Sequence, residues 1–521
     1  MLMKKKAVSF ICLLLIISLF IPMAVSAAQV ETVPVFAVNE GVDEEIAQTG
    51  ADTTKNTELK IPQIRVITES GNGTKLQKAD GYVNAEISIT DTDGSVLSDS
   101  VSFKVRGNTT SMTTIAKKAY TFKFAKKKNV LGLGSGKKWA LIANAFDPTL
   151  LRNYIAFDIA YELGLDYTSN QKYVEVWVDN SFRGCYTLYE PVQEGKDRVD
   201  IDIESNDGKK DFLIEYEAQR EEEDVTYFTV DGLRFISSEP EEPDDDQLKY
   251  ITDTMSDIID TLKNGTEEEI RHKLDVASFS KFYPLNEFVK TYDFDMSSVF
   301  FYYKNGKLYA GPAWDYDLSA GNVNVEKYAY YGRIKNASTT DGLLAYDKNI
   351  YKFITDKQWF NDETARIYNE HFDFFKDIYA DGGLMDTLRT EYGDVFERNY
   401  TTGIWKVSQA WINIQKKPLA TYEENFVFLK NWYKERNEWL SDHFGVPYIL
   451  LGDADDSGDV DILDATSVNR AVLYIAGFVI NEAASDVDGD GEVTVIDATF
   501  IQRYDVKITV PHKIGEKIRI Q

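Results

Sequence analysis

Along the middle of the chain, segments with the hydrophobic pattern of strands alternate with segments that have the pattern of helices. Aromatic and polar residues alternate over 119–125, which predicts a half-buried strand. A stripe of apolar residues at helical spacing over 150–159 predicts a helix, and two further strands are expected at 173–178 and 182–189. This mixture of strands and helices, without a long linker between 57 and 448, predicts an α+β domain.

A β-hairpin further along the chain brings two carboxylates together. Residues 299–313 read as two strands around Asn305-Gly306, which is the strongest short hairpin signal. Asp293 precedes the hairpin and Asp315 stands at its exit, so both are expected at one end of it. Phosphoryl transfer needs such a pair, because one carboxylate orients the attacking hydroxyl and another holds Mg²⁺ on the phosphates.

The amino terminus has the pattern of a secretory signal. Three Lys residues precede an apolar run over 7–21, and small residues follow it, so we predict a signal peptide over 1–27. Residues 28–56 read as a flexible acidic leader. No later segment is long and apolar enough to span a bilayer, so we expect a secreted protein without a retained membrane segment. The chain has 2 Cys residues, one inside the signal, which excludes a disulfide framework.

Charge separates one region from the rest of the chain. The 85 acidic residues outnumber the 57 basic ones, giving a net charge of −28, and this disfavours general nucleic-acid binding. Residues 101–156 nevertheless contain 11 Lys or Arg and one acid, Asp147. Within them, Lys104 and Arg106 alternate on a strand that enters a Gly/Thr turn, where backbone N–H groups can face phosphate oxygens. This basic region is therefore a candidate anion site.

Residues 451–510 repeat themselves with a period of 33 residues. In each copy, oxygen-bearing side chains stand at positions 1, 3, 5, 9 and 12 around a Gly at position 6, and position 7 offers its backbone carbonyl. This arrangement wraps one large hard cation, and a flexible loop rich in anionic oxygens favours Ca²⁺ over Mg²⁺. The predicted ligands are Asp453, Asp455, Ser457, Asp459, Asp461 and Asp464 in the first site, and Asp486, Asp488, Asp490, Glu492, Thr494 and Asp497 in the second.

Each calcium loop is followed by a short amphipathic helix. Two loop-and-helix copies at a chain terminus resemble the type I dockerin family, which implies a small all-α domain that folds on two Ca²⁺ ions and docks onto a cohesin domain of a scaffolding protein. Paired apolar residues at the first specificity positions differ from the Ser/Thr common in the family. By the family pattern, the cohesin-binding residues are Ile462, Leu463, Asn469, Arg470, Val495, Ile496, Gln502 and Arg503.

A set of short motifs between Lys104 and Ala320 resembles the spore coat protein H (CotH) kinase family of atypical protein kinases. The resemblance implies a two-lobed, protein-kinase-like fold, and the order of strands and helix before residue 190 fits the small lobe of a kinase. The motifs are Arg106-Gly-Asn-Thr109, Lys117-Lys-Ala-Tyr120, Trp139-Ala-Leu-Ile-Ala-Asn144, Leu151-Arg-Asn153, Gly184-Cys-Tyr-Thr-Leu-Tyr-Glu190 and Gly311-Pro-Ala-Trp-Asp-Tyr-Asp317.

The resemblance also implies roles for individual residues. Asp293, with Asp295 as the alternative, would be the catalytic carboxylate. Asp315, Asp317 and Ser298 would hold Mg²⁺ or Mn²⁺ with ATP, although kinases usually have Asn where Ser298 stands. The predicted nucleotide and phosphate contacts are Lys104, Arg106, Asn108, Lys118, Lys123, Arg152, Glu190 and Trp314.

Together these patterns predict a secreted cellulosome-type component, attached to a cellulosome or cell surface, that carries a CotH-like kinase domain over 57–448 and a dockerin over 451–510. The kinase domain would transfer the ATP γ-phosphate to Ser or Thr of a secreted protein. Two alternatives stay open: an inactive kinase-like scaffold, and a polysaccharide-degrading or carbohydrate-binding protein. The second rests on aromatic residues that could stack sugars, namely Tyr328, Tyr330, Tyr331, Trp359, Trp405, Trp411, Trp432 and Trp439.

Overall fold

A computed structural model gives the fold. It describes residues 59–112, 115–204, 210–218, 220–222, 225–324, 337–401, 416, 418–475 and 479–519, without the side chains of 109, 400 and 401. The predicted signal peptide and acidic leader lie outside these residues. Within this part of the chain, no helix combines the length and the apolar character needed to cross a membrane.

The first structural unit is a closed barrel of seven strands in the order β1-β2-β3-β4-β5-β7-β6. All neighbours are antiparallel except β1 and β6, whose parallel pairing closes the barrel. Fully buried aromatic side chains such as Phe103, Phe122 and Trp139 share one face of adjacent strands, because register partners point to the same side. The strands are β1 (Gln63–Thr68), β2 (Val83–Thr90), β3 (Val96–Arg106), β4 (Ala119–Asn129), β5 (Ser135–Ile142), β6 (Gln171–Val178) and β7 (Ser181–Tyr189), and helix α1 (Arg152–Glu162) lies between β5 and β6.

The barrel corrects the predicted kinase small lobe. The strands expected at 173–178 and 182–189 and the helix expected over 150–159 are present, but β1 and β2 precede every strand that the sequence prediction specified. Because β1 pairs with both β2 and β6, the sheet closes on itself instead of staying open. The fold is mixed α/β, and it is not clearly that of a two-lobed kinase.

A second sheet of five strands in the order β12-β11-β8-β10-β9 follows, with helices packed around it. The predicted hairpin is present as β11 and β12, although β12 ends at Ala310 and not at 313. These elements are β8 (Phe212–Tyr216), β9 (Tyr227–Val230), β10 (Leu233–Glu239), α2 (Asp245–Asn264), α3 (Glu267–Lys273), α4 (Val276–Val289), β11 (Val299–Lys304), β12 (Lys307–Ala310), α5 (Gln358–Glu370), α6 (Phe372–Asp377), α7 (Leu384–Thr401) and α8 (Tyr422–His443).

The carboxyl-terminal region is helical, as predicted, and has its own small core around Val468 and Ile501. A pair of three-residue strands, β13 and β14, brackets it. From β14, Lys517 Nζ lies 3.1 Å from Asp442 of α8, so the end of the chain returns to the last helix of the large domain. The elements are β13 (Tyr448–Leu450), α9 (Ile462–Val472), α10 (Glu482–Ser485), α11 (Val495–Asp505) and β14 (Lys517–Arg519).

Candidate active site and calcium loops

The β11–β12 hairpin brings Asp293 and Asp315 together. Asp293 lies in a 3₁₀ turn after α4, and Asp315 follows β12. Burial, and next the charge of Asp315, raise the pKa of Asp293 well above its usual value. Burial also raises the pKa of Asp315, and the Ser298 hydroxyl donates to Asp315 Oδ2 at 3.4 Å. Asp295 is half-buried at the end of the same turn.

Asp317 joins these two aspartates from the segment after β12. It is buried, and its pKa is raised well above the usual value by burial and then by Asp315 and Asp293. The backbone amide of Tyr316 donates to Asn153 Oδ1 of α1 at 2.7 Å, which holds this segment in place. Three carboxylates that oppose one another's ionisation form a natural place for a cation.

Two glutamates and an arginine that the sequence prediction missed complete this acidic cluster. Glu215 Oε1 accepts the Ser298 amide at 3.1 Å, and burial raises the pKa of Glu215 to about 7, with Arg220 opposing the shift. Arg220 lies 3.6 Å from Glu215 Oε1 and 3.4 Å from Glu217 Oε2. The only sequence signal is the Glu-Tyr-Glu alternation at the end of an apolar strand, β8.

The outer face of the barrel carries a group of cations, of which Arg106 interacts with Asp315. Strand register sets Lys104, Arg106, Lys123 and Lys138 on one face, because Ser102 pairs with Lys123, and Lys123 with Lys138. Burial is the main cause that lowers the pKa of Lys104, Arg106 and Lys138, and nearby positive charges lower the pKa of the two lysines further. Lys138 was not among the predicted contacts.

Arg106 is the cation that meets the acidic cluster. Burial lowers the pKa of Arg106, and the charge of Asp315 opposes this change, so the two charged groups interact. The guanidinium carbon lies 5.3 Å from the centre of the Trp314 ring, and that ring is 6.0 Å from the Tyr189 ring. The structure thus brings Arg106 of the predicted basic strand to Asp315, which interacts with Asp293, and the Trp314 ring lies beside Arg106.

The calcium loops bring three predicted ligands together in each copy. Carboxylate oxygens of Asp453, Asp455 and Asp464 lie within 4.8 Å of one another, and those of Asp486, Asp488 and Asp497 do the same. Asp464 and Asp497 are both fully buried. Burial raises the pKa of Asp464, and the charge of Asp455 adds to the rise. An all-oxygen group of like charges with one fully buried member fits a hard cation such as Ca²⁺.

The remaining loop residues lie around these triplets. In the first loop, Ser457 Oγ donates to Asp453 Oδ1 at 3.4 Å, and Asp461 caps α9 by accepting the Leu463 amide at 2.6 Å. In the second, Thr494 caps α11 and donates to Asp497 Oδ2 at 3.2 Å. The side chains of Asp459, Asp490 and Glu492 are exposed.

Comparison with protein families identifies both domains. Residues 103–440 match the model of the CotH kinase protein family. The chain belongs to the CotH kinase family. Residues 451–504 match the type I dockerin domain. Dockerin domains bind calcium and imply docking to a cohesin in an extracellular, cellulosome-type protein. A search of curated proteins finds no match for this CotH kinase protein.

Several residues of the CotH motifs form buried hydrogen bonds with one another. Asn144 Nδ2 donates to Thr187 Oγ1 at 2.9 Å, and Asn153 Nδ2 donates to Asn144 Oδ1 at 2.9 Å. With the bond from Tyr316 to Asn153, this chain of side chains links β7, α1 and the segment that carries Asp315. These motif residues therefore align the barrel with the acidic cluster.

Four of the residues predicted to contact the nucleotide or its phosphates form hydrogen bonds or ion pairs with other residues of the CotH domain. Arg152 is buried, pairs with Asp147 at 2.6 Å and donates to two backbone carbonyls beyond Asp317. Lys118 Nζ donates to the carbonyls of Ser111 and Met112. Glu190 pairs with Arg198 at 3.5 Å, and Asn108 accepts from Lys78. Arg152 therefore holds the segment that follows Asp317, and Lys118 holds the chain at Ser111 and Met112.

We expect Arg152→Met to lower the free energy of unfolding of the CotH domain by about 3–5 kcal/mol, because it leaves Asp147 as an uncompensated buried charge. Urea denaturation followed by tryptophan fluorescence measures this. Removal of the exposed Arg366–Glu370 pair by Arg366→Met is the matched control and should cost less than about 1 kcal/mol. Equal losses for both variants would contradict a buried ion pair at Arg152.

The predicted cohesin-binding residues lie on two similar helix faces. Ile462 and Leu463 at the start of α9 are 47% and 60% exposed, and Val495 and Ile496 at the start of α11 are 53% and 52% exposed. Arg470, Gln502 and Arg503 are also exposed, whereas Asn469 is half-buried and donates to the Ala465 carbonyl at 2.9 Å. The two copies thus present equivalent apolar surfaces.

Three of the aromatic residues considered for sugar binding are described by the structure, and these three lie in the core or pack against it. Trp432 is buried and donates its indole N–H to the Ser338 carbonyl at 3.2 Å, and Trp359 and Trp439 pack against the main core. Tyr328, Tyr330, Tyr331, Trp405 and Trp411 lie outside the described residues. The described aromatics therefore add no support to a carbohydrate-binding role.

Proposed function

We propose that the CotH kinase domain transfers the γ-phosphate of ATP to a Ser or Thr hydroxyl of a secreted protein, while the dockerin attaches the enzyme to a cohesin. The observation that carries the proposal is the meeting of Arg106 with Asp315, beside Asp293 and Asp317, at the face of Trp314. Cations for phosphate, carboxylates for a metal and an aromatic face are the parts that phosphoryl transfer from a nucleotide requires.

Each residue of the site has a distinct task in this proposal. Asp293 orients the acceptor hydroxyl and takes its proton as the oxygen attacks the γ-phosphorus and the bond to the departing ADP breaks. Arg106, Lys104 and Lys123 attract the phosphates, and Trp314 flanks the base. Lys138, on the same face of the barrel, extends the cationic surface.

The donor set fits Mg²⁺ or Mn²⁺. Asp315, Asp317 and the Ser298 hydroxyl would hold the ion, which supplies charge neutralisation on the phosphates when bound. Burial raises the pKa of both aspartates, and the charge of Asp315 raises the pKa of Asp317 further, so a bound cation would favour their joint ionisation. Asp295 stays the alternative to Asp293 as the catalytic carboxylate.

The proposed location follows from the two ends of the chain. A signal peptide over 1–27 would export the protein, and the exposed apolar faces of α9 and α11 would bind a cohesin on a cellulosome or at the cell surface. Neighbouring secreted proteins would then be held at high effective concentration near the CotH site, which favours them as substrates.

Nucleotide binding separates this proposal from an inactive scaffold that lacks a nucleotide site. Because a ligand that binds only the folded state stabilises it, Mg²⁺–ATP at 100 times its Kd should add about 2.7 kcal/mol to the free energy of unfolding of the CotH domain. A thermal melt of the full chain in saturating Ca²⁺, with and without Mg²⁺–ATP, measures the shift. ATP without Mg²⁺, in the same Ca²⁺ buffer, is the control and should stabilise less. An unchanged melting temperature with Mg²⁺–ATP would count against the proposal.

A further inference from the structure

Ser298 occupies a strained position at the centre of the acidic cluster. Its φ of 62° is in the left-handed region, which a non-glycine residue adopts only where the surrounding structure enforces it. The Ser298 amide donates to Glu215 Oε1 at 3.1 Å, and the Ser298 hydroxyl donates to Asp315 Oδ2 at 3.4 Å. One residue therefore connects two carboxylates, one on β8 and the other in the segment after β12.

Glu215 is itself fixed on two sides. It lies on β8, where it is the register partner of Phe300 on β11. Phe300 is two residues after Ser298, so the sheet fixes the backbone of Glu215 close to Ser298. Arg220 sets its side chain, with a terminal nitrogen 3.6 Å from Glu215 Oε1.

Arg220 is held in turn by the carboxylates around it. Its Nε lies 3.4 Å from Glu217 Oε2 and 3.2 Å from Glu222 Oε1, and its own amide donates to Glu217 Oε1 at 2.7 Å. Glu217 is fully buried, so this anchor is rigid. The result is a continuous line of polar contacts from Arg220 through Glu215 and Ser298 to Asp315.

We propose that Glu215 is a positioning residue for the phosphoryl transfer proposed above: it holds the Ser298 turn so that the Ser298 hydroxyl stays at Asp315, and Arg220 holds Glu215. This inference rests on the proposed function. It explains how a serine can act as a metal ligand where kinases usually have Asn. Because the serine side chain is shorter, the Ser298 backbone must be held in place for its hydroxyl to stay at Asp315. The acceptor oxygen of Glu215, and not its negative charge, does this.

Two substitutions at Glu215 separate these properties. Glu215→Gln keeps an oxygen that accepts the Ser298 amide, whereas Glu215→Leu keeps the volume and removes the acceptor. We expect Glu215→Leu to lower kcat roughly 10–100-fold and to raise the Mn²⁺ concentration for half-maximal rate, because small displacements of catalytic groups have effects of that size. Glu215→Gln should stay within about threefold of the unaltered protein, since its hydrogen bond remains.

A second measurement tests the placement of Ser298 without relying on activity. Hydrogen exchange in a peptide spanning 296–302 should be at least ~10-fold faster in Glu215→Leu and unchanged in Glu215→Gln, because only the first loses the acceptor of the Ser298 amide. Glu363→Gln, which alters a partly buried glutamate paired with Arg271 at 3.0 Å away from the site, is the matched control and should alter neither kinetics nor exchange at 296–302.

The outcomes distinguish this inference from the function on which it rests. If Glu215→Leu, shown by its melting temperature to be folded, keeps normal exchange at 296–302, the positioning role is wrong whatever the activity. If Glu215→Gln loses as much activity as Glu215→Leu, the charge of Glu215 matters and its acceptor oxygen does not, which also overturns the inference. If the unaltered protein transfers no phosphate, the proposed function fails, and exchange alone still decides whether Glu215 holds Ser298.

Discussion

Asp315→Asn is expected to reduce ATP-dependent phosphoryl transfer roughly 10³-fold while leaving the CotH domain at least as stable as before. The loss follows because a neutral amide cannot replace an anionic metal ligand at the place where charge develops in the transition state. The gain in stability follows because Asp315 raises the pKa of both Asp293 and Asp317, so its removal relieves repulsion in a partly buried cluster. Labelled ATP with Mn²⁺ and a general protein substrate measures the first effect, and thermal melting without metal measures the second.

The control for this experiment is a carboxylate of the same size outside the site. Asp260 is exposed on α2, and Asp260→Asn should leave transfer within about twofold of the unaltered rate, as expected for a surface change. Equal transfer by the unaltered protein and Asp315→Asn would remove the enzymatic proposal, although the dockerin would keep its docking role. A large loss of stability in Asp315→Asn would show instead that the substitution acts through folding.

Removal of calcium is expected to unfold the dockerin and to abolish its binding to a cohesin. Three carboxylates within 4.8 Å, one of them fully buried in each loop, repel one another when no cation neutralises them. The cores of α9 and α11 are small and contact each other, so the loss of one loop weakens both helices. Far-UV circular dichroism of the full chain before and after EGTA should show the loss of this helical signal, and its return with Ca²⁺.

Single substitutions assign the effect to the two loops. Asp464→Ala and Asp497→Ala should each weaken Ca²⁺ binding at the altered loop by more than ~100-fold in a calorimetric titration with Ca²⁺, because position 12 supplies a major ligand. Glu516→Gln, an exposed carboxylate outside the loops, should bind Ca²⁺ as before. A titration of Asp464→Ala that still shows two tight sites would contradict the assignment of Asp464 as a ligand.

Local patterns carried much of the site prediction. The calcium loops and the β11–β12 hairpin are built from neighbouring residues whose turn chemistry and spacing set the geometry directly, so the grouping of Asp453, Asp455 and Asp464 was accessible from the sequence. The hairpin also explains why Asp293 and Asp315 meet, because the antiparallel pairing of β11 with β12 returns the chain to the end from which it started. Resemblance to the CotH family, confirmed by the match over 103–440, placed both in one domain.

Contacts between strands that are far apart in the sequence could not be predicted from local patterns. Glu215 stands 83 residues before Ser298, and only the pairing of β8 with β11 brings them together. Arg152 and Arg106 both belong to the basic region and were both predicted to contact phosphate. In the structure Arg152 is buried against Asp147, whereas Arg106 interacts with Asp315. Side-chain type alone cannot distinguish these two environments, because burial depends on what the rest of the chain places nearby.

The sequence by itself determined the pieces whose geometry is local: two cation-binding loops, a hairpin flanked by carboxylates, a basic strand and the family to which they belong. Only the three-dimensional structure shows that the first sheet closes into a barrel, that Arg106 interacts with Asp315 and that Glu215 accepts the Ser298 amide. The physical reason is that hydrogen bonds within a turn depend on adjacent residues, whereas closure, burial and charge pairing depend on strands that meet across long stretches of chain.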